Sequence, residues 1–354
     1  MRLAVSKAKS GYSVELAVRS IGEVHALGGA ALPIFVRGFQ PLTAVGLLES
    51  TAPLGMPAPV FWGYVCAALL AIIGLAKIWA EVSQEHGIDK VMPFGRLFFA
   101  MPLAVFGSEH FTITPVIAAL VPAWIPAHVF WVYLVGAGFL CGALSITILV
   151  QARLAAALVG MTFLIFVLVM DIPGAISSPG DRFSWALALR QLAFSGGAFA
   201  FALSPWSSRL RTAPFAQQIG AWATFPRFFV GIPSLFYGVE HLLHPTYVPG
   251  IPLDKVAPEW VPGRIALSCV VGLMLIIAGA CLLVNRQARK AATFLGLAIL
   301  LTMVWVYLPM LVRSPTDLVA MNFFFDTLLF CGAILLLANA IDEESPSRVL
   351  AEVT

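Results

Sequence analysis

Charge is the scarcest thing in this sequence. Of 354 residues, 11% are charged and 60% hydrophobic, where a soluble domain carries about 25% charged residues. With 21 Lys and Arg and 18 Asp and Glu, a water-facing surface cannot be covered, and the mean hydropathy of +0.92 agrees. A soluble enzyme, a disordered chain and a coiled coil are excluded. The net charge of +3 is too small to point to a nucleic-acid partner.

Paired cysteines are also missing. Cys66, Cys141, Cys269, Cys281 and Cys331 all lie in apolar stretches, without a Cys-x-x-Cys or a haem-attaching Cys-x-x-Cys-His. Single buried cysteines behave as small hydrophobes, and thiol-disulfide exchange would need a pair. No P-loop, His-Glu-x-x-His, Rossmann glycine pattern or Ser-His-Asp order stands in a usable context, so no metal site is expected. Residues 1–26 mix Arg2, Lys7, Lys9, Glu15, Arg19 and Glu23 with short apolar runs, which does not read as a secretory signal.

Long apolar runs are what the chain has instead. A span needs about 20 mostly apolar residues. Candidates are Val60–Ala80, Leu97–Phe111, His128–Val150, Leu154–Ile172, Ser184–Leu203, Phe228–Leu243, Ile265–Val284, Ala291–Val312 and Leu318–Ala340. A further segment, Ala26–Leu48, is interrupted by Arg37 and Pro41; it reads either as a weak span or as an interfacial helix. The basic residues sort to one face: Lys77, Lys90, Arg96, Arg153, Arg209, Arg211, Arg227, Arg286, Arg289, Lys290 and Arg348 against Arg182, Lys255, Arg264 and Arg313. That bias predicts a multi-pass protein of the inner (plasma) membrane with the Gln-Ala-Arg turns and the C-terminus cytoplasmic.

The chain repeats itself. Arg96-Leu-Phe-Phe-Ala-Met-Pro102 aligns with Arg227-Phe-Phe-Val-Gly-Ile-Pro233, and Gly107-Ser-Glu109-His110 with Gly238-Val-Glu240-His241, both at an offset of 131. Five extra residues near Pro245–Gly250 shift the offset to 136. There Pro122-x-Trp124-x-Pro126 matches Pro258-x-Trp260-x-Pro262, Gln151-Ala-Arg153 matches Gln287-Ala-Arg289, and Pro173, Pro179, Phe194 and Gly196 match Pro309, Pro315, Phe330 and Gly332. Each copy holds four helices, an even number, so the copies share one orientation. The expected fold is all-α: a polytopic membrane protein of two tandem parallel four-helix bundles plus an N-terminal transmembrane helix. The expected organisation is an N-terminal segment (1–58), an extra transmembrane helix and loop (59–90), a first repeat (91–204), a cytoplasmic linker (205–226), a second repeat (227–341) and a polar tail (342–354).

Few residues are equipped for chemistry. Glu109-His110 and Glu240-His241 end helices that start near Arg96 and Arg227. Fourteen residues rise about 21 Å, some two thirds of a roughly 30 Å core, so both pairs are expected in the outer, non-cytoplasmic third. Ionisable groups at depth are functional candidates, and histidine beside carboxylate can hold or share a proton. Adjacent helix positions diverge by about 100°, so each is expected to face another helix; cross-linking helices is the structural reading. Arg190 and Asp326 occupy matching positions with opposite signs, six residues into their spans; they are expected to pair, either with each other or with the Glu-His groups, and all six residues to form one polar layer in the outer third. Asp171 ends its helix on the same side. Trp124 and Trp260 read as interface anchors, with an aromatic lid as the functional alternative. A haem between His110 and His241 is conceivable, with no other feature in its favour.

From the Gly-x-Glu-His element through Pro-x-Trp-x-Pro and the three helices that follow, the chain resembles the DoxX-like family of four-helix membrane proteins, over roughly residues 92–341 and in two copies. Relatives in that family are associated with quinone-linked thiosulfate oxidation, membrane redox complexes and maturation of periplasmic redox enzymes. Most are single four-helix units, from which this duplication departs. The resemblance implies a redox-associated membrane subunit that uses quinone as substrate and works with a periplasmic or membrane redox enzyme. A non-catalytic assembly factor and a small-solute transporter built from parallel repeats are the other readings, and whether the chain is an enzyme stays open.

Overall fold

The computed structural model describes residues 52–204, 225–251 and 255–341. Segment 26–48, most of the linker and the polar tail lie outside them. The protein is an all-α integral membrane protein. Eight helices among the described residues are long and apolar enough to cross a membrane. They include α1 (Ala58–Val82), α2 (Phe94–Thr112), α3 (His128–Ile148), α4 (Ala152–Ser177) and α5 (Arg182–Leu203). After α6 (Phe225–Leu243) come α7 (Arg264–Val284), α8 (Ala288–Arg313) and α9 (Leu318–Ala340). Helix α6 is not one of the eight; Arg227, Glu240 and His241 lower its hydropathy, yet it stands in the same ring.

Helices α2–α5 and α6–α9 are two four-helix units with the same local backbone. Positive φ angles recur at Ala127 and Gly263 (58° and 62°), Leu149 and Asn285 (62° and 55°), and Gln151 and Gln287 (51° and 52°). Each pair is 136 residues apart, and left-handed residues of this kind stop and start helices. Both α4 and α8 carry a π-helical turn, Val167–Asp171 and Met303–Tyr307. Pro173 and Pro309 follow each by two residues; the missing proline N–H leaves a carbonyl of the preceding turn without its donor, and the turn widens.

The two units interlock. Within each, the helices pack in chain order, but the fourth helix turns to the other unit: α5 packs on α6 and α9 on α2, while α5 and α9 cross at the centre. Glycine permits both junctions. A Cβ at Gly196 would stand 2.7 Å from the Phe229 side chain, and one at its counterpart Gly332 would run into the backbone of Phe98 and Phe99. At the crossing, Gly197 lies against Ala333 with no room for a Cβ. Those two positions are equivalent, as are Arg190 and Asp326, which bond each other across 136 residues. Equivalent residues meet only on a two-fold axis. Arg190 and Gly197 are seven residues, two helical turns, apart on one helix face, so the axis runs along the helices, as parallel repeats require.

The outer faces carry the apolar belt that lipid demands: Leu69, Ile72, Leu134, Leu158, Leu273 and Leu301 are all exposed. At the basic end, arginines close helix C-termini. Arg153 Nε donates to the Ala202 carbonyl at 2.8 Å, Arg289 Nη1 to Ile341 at 3.3 Å and Arg227 Nη1 to Leu282 at 3.4 Å, where orphan carbonyls and the negative dipole end favour a cation. Arg96 pairs with Glu81 at 3.2 Å. The cysteines are free, and Cys331 repeats a structural contact: its thiol donates to Gly296 O at 3.3 Å as Ser195 Oγ, at the equivalent position, donates to Gly160 O at 2.8 Å.

Candidate functional site

The two-fold crossing carries the buried charge. Arg190 Nη1 lies 2.6 Å from Asp326 Oδ2, with side chains 20% and 14% exposed. Each stands eight residues into its helix of 22 or 23 residues, nearer the helix middle than its end. An intramembrane pair at this distance satisfies both charges by a charge-assisted bond.

Further polar groups surround the pair. On one side Glu109, from the end of α2, is hydrogen-bonded by Asn322 of α9 and lies within electrostatic reach of Asp326. On the other, Asp171 closes the π turn of α4; Gln191 Nε2 donates to its Oδ1 at 3.4 Å, and Arg190 is close by. Tyr237 of α6 is fully buried among Arg190, Asp326 and Asp171, and its hydroxyl donates to the Ala186 carbonyl. Glu109 and Asp171 are each only 7% exposed. Asp326 and Asp171 thus both lie near the Arg190 guanidinium, and Glu109 lies near Asp326. Glu109 Oε1, Asp171 Oδ2, Arg190 Nε, Gln191 Oε1 and Asn322 Oδ1 are all buried without a hydrogen-bond partner. Buried polar atoms are ordinarily satisfied; these five belong to α2, α4, α5 and α9 around the ion pair.

The remaining sequence candidates lie elsewhere. Glu240, the counterpart of Glu109, is drawn outward to Arg182 at the start of α5 (3.2 Å) and to His244 (3.8 Å), with Arg182 stacked over Tyr247. His110 and His241 turn toward the second helix of their own unit. Beneath them sit Gly136 and Gly272, where a Cβ would come within 2.6 and 2.9 Å of the histidine Cβ. His110 Nδ1 stands 2.7 Å from the Phe106 carbonyl of its own helix, and its ring meets Phe139 edge to face. His241 Nε2 lies 2.6 Å from Gly250 O, and its Nδ1 3.3 Å from Ser268 Oγ. The two rings therefore make their contacts within separate units. Trp124 is exposed in its turn, and Trp260 lies beneath the Arg313 guanidinium, 4.0 Å from the ring centroid.

Sequence reading did not single out Asn322, Gln191, Tyr237 or Tyr307. The signal was available in the alignment of the copies: Gln191 stands where the second copy has Thr327, and Asp171 where it has Tyr307. A polar residue replaced by a chemically different one at a buried, duplicated position marks divergence of the two sites. No family model, no curated protein and no solved structure matches the chain.

Proposed function

We propose that the chain is a quinone-binding membrane subunit of a redox system, with the head group seated at the polar cluster around Arg190 and Asp326. The set of unpartnered buried atoms at that cluster carries the reading. A quinone brings a small polar head on an apolar tail, which suits an orphaned polar centre walled by apolar helices. When the hydroquinone form gives two electrons to a partner redox enzyme, its two O–H bonds break. The two protons pass to carboxylates of the cluster, where Glu109 and Asp171 each keep a buried oxygen without a partner. The charge bias places the basic end in the cytoplasm, so the site opens toward the non-cytoplasmic side. The redox association comes from the sequence resemblance to DoxX-like proteins.

One observation favours a second reading, a small-solute transporter. The cluster lies on the junction between two parallel repeats, beside the π turn of α4 that ends in Asp171, and such junctions and π turns are used by transporters and functional sites. The deciding measurement is binding of a decyl-substituted benzoquinone and its hydroquinone to the full chain in lipid nanodiscs, with empty nanodiscs subtracted. Saturable binding that weakens at least tenfold in Glu109→Gln supports the quinone subunit. Binding of neither form overturns it.

A further inference from the structure

In the second unit, the region matching Asp171 and Gln191 is filled by the chain itself. Residues 248–251 turn inward and are buried. Tyr307 OH donates to the Pro249 carbonyl at 2.9 Å, and His241 Nε2 holds the Gly250 carbonyl at 2.6 Å. A Cβ at Gly250, whose φ is +125°, would meet Tyr307 Oη at 3.1 Å and Thr327 Cγ2 at 3.7 Å. Two side chains, His241 and Tyr307, therefore hold this plug, and the Thr327 methyl flanks it. The five extra residues of the second copy supply it.

The counterparts of those three side chains are His110, Asp171 and Gln191, and the first unit's shorter loop sends no plug to them. Its residues 115–127 are exposed or half-buried throughout, and only Ile113 and Thr114, just past the end of α2, are buried. Leu189, Gln191 and Leu192 are half-buried, where the equivalent Phe325, Thr327 and Leu328 are buried. Asp171 Oδ2 and Gln191 Oε1, two of the orphaned atoms, belong to the positions that in the other unit grip (Tyr307) and flank (Thr327) the plug. The match of orphaned atoms to positions around the plug is independent of the charge count around Arg190.

We infer that this stretch of the first unit, which no described residue covers, is the head-group site of the two units, and that it takes a head group that donates hydrogen bonds, a hydroquinone or phenol on an apolar tail. The identity of the ligand rests on the quinone reading above; the position and polarity of the site do not. In the second unit a donor, Tyr307 OH, meets the plug's carbonyl. In the first, the same position is a carboxylate. Gln191 Nε2 already donates to Asp171 Oδ1, so Gln191 presents its oxygen. Two orphaned acceptors, Asp171 Oδ2 and Gln191 Oε1, stand where the other unit has a donor, so the ligand must supply hydrogens to them, while Arg190 Nε can donate to its oxygen. A quinone offers only acceptors; its hydroquinone offers two O–H groups.

Equilibrium binding to the full chain in nanodiscs tests this with three probes: decyl-benzohydroquinone, decyl-benzoquinone and the redox-inert 4-decylphenol. The expected result is one equivalent of hydroquinone per chain, bound at least tenfold tighter than the quinone. Asp171→Asn should weaken it at least tenfold, and Tyr307→Phe should leave it unchanged. Two equivalents per chain, equal affinity for quinone and hydroquinone, or equal effects of the two substitutions overturns the inference. The stoichiometry is read on the unsubstituted protein and needs no variant to fold. If the phenol binds once and depends on Asp171 while neither quinone form binds, the site stands and the quinone function falls. If none of the three binds, the inference falls with it.

Discussion

Exchanging the charges of Arg190 and Asp326 tests the two-fold arrangement, because equivalent positions offer each residue nearly the environment of the other. Breaking a buried ion pair by removing one partner costs about 3–5 kcal/mol, and at 2.6 Å with four fifths or more of each side chain buried this pair belongs to that class. The single changes are not equal. Arg190→Asp sets the new carboxylate among Asp326, Glu109 and Asp171 with no cation. Asp326→Arg leaves two guanidiniums among two carboxylates, Glu109 and Asp171, which is locally balanced. Arg190→Asp should therefore cost about 5 kcal/mol or more, and Asp326→Arg nearer about 2–3 kcal/mol. The exchanged double variant restores one cation among three carboxylates and should come within about 1 kcal/mol of the native protein, a coupling far outside additivity. At about 2 °C per kcal/mol for a chain of this size, thermal unfolding in one fixed lipid nanodisc should fall by about 10 °C, about 5 °C and about 2 °C respectively. A double variant no more stable than Arg190→Asp would refute the axis, and equal losses in the two single variants would refute the excess of carboxylates.

Other consequences follow from single contacts. Gly197→Val has no room against Ala333 and should separate α5 from α9, costing at least about 1–3 kcal/mol of overpacking and sharply reducing monodisperse protein in size-exclusion chromatography. Gly250→Ala combines a left-handed φ of +125° with a Cβ 3.1 Å from Tyr307 Oη; about 1–3 kcal/mol of strain should expose residues 248–251 to limited proteolysis. Arg153→Ala removes the donor to Ala202 O and should cost about 0.5–1.5 kcal/mol, a fall of about 1–3 °C in Tm. In a background lacking the native cysteines, a cysteine at Gln151 should be labelled only after the membrane is opened and one at Trp124 from outside intact cells; the reverse pattern would invert the topology.

The helices, their order and the duplication are legible because they depend on quantities that a sequence carries locally: apolar run length, glycine and proline positions, and self-similarity at a fixed offset. The rotation of each helix about its own axis does not. Whether Glu109 or His110 faces the centre is decided by where small residues let neighbours approach, and Gly136 draws His110 toward α3 while Glu109 swings to α9. Glu240 shares its motif with Glu109 but meets Arg182, because α5 begins with a cation that α9 lacks at the matching position; Leu318 stands there. The interlocking of the units was carried by Gly196-Gly197 and Gly332-Ala333, yet small residues alone do not say which helix they admit. The plug was visible only as five extra residues. That they fold inward depends on Tyr307 and His241 having carbonyls to hold.

A two-fold axis also constrains what a duplicated membrane protein can place at its centre. Identical copies bring each axial residue against itself, so a charged residue there would meet its own sign: two arginines or two aspartates, in a region where even one unpaired charge costs at least about 2.5 kcal/mol. Only unlike copies can seat an ion pair on the axis. Arg190 against Asp326 is such a pair, and Gly197 against Ala333 keeps the helices close enough to form it. Once the centre is asymmetric the surrounding shells are free to differ. Asp171 and Gln191 present acceptors in the first unit, while at the matching place in the second Tyr307 and His241 hold the inward loop by its carbonyls. Fusing the two units into one chain makes this division of roles possible, because a symmetric dimer of single units would have to open both sites or close both.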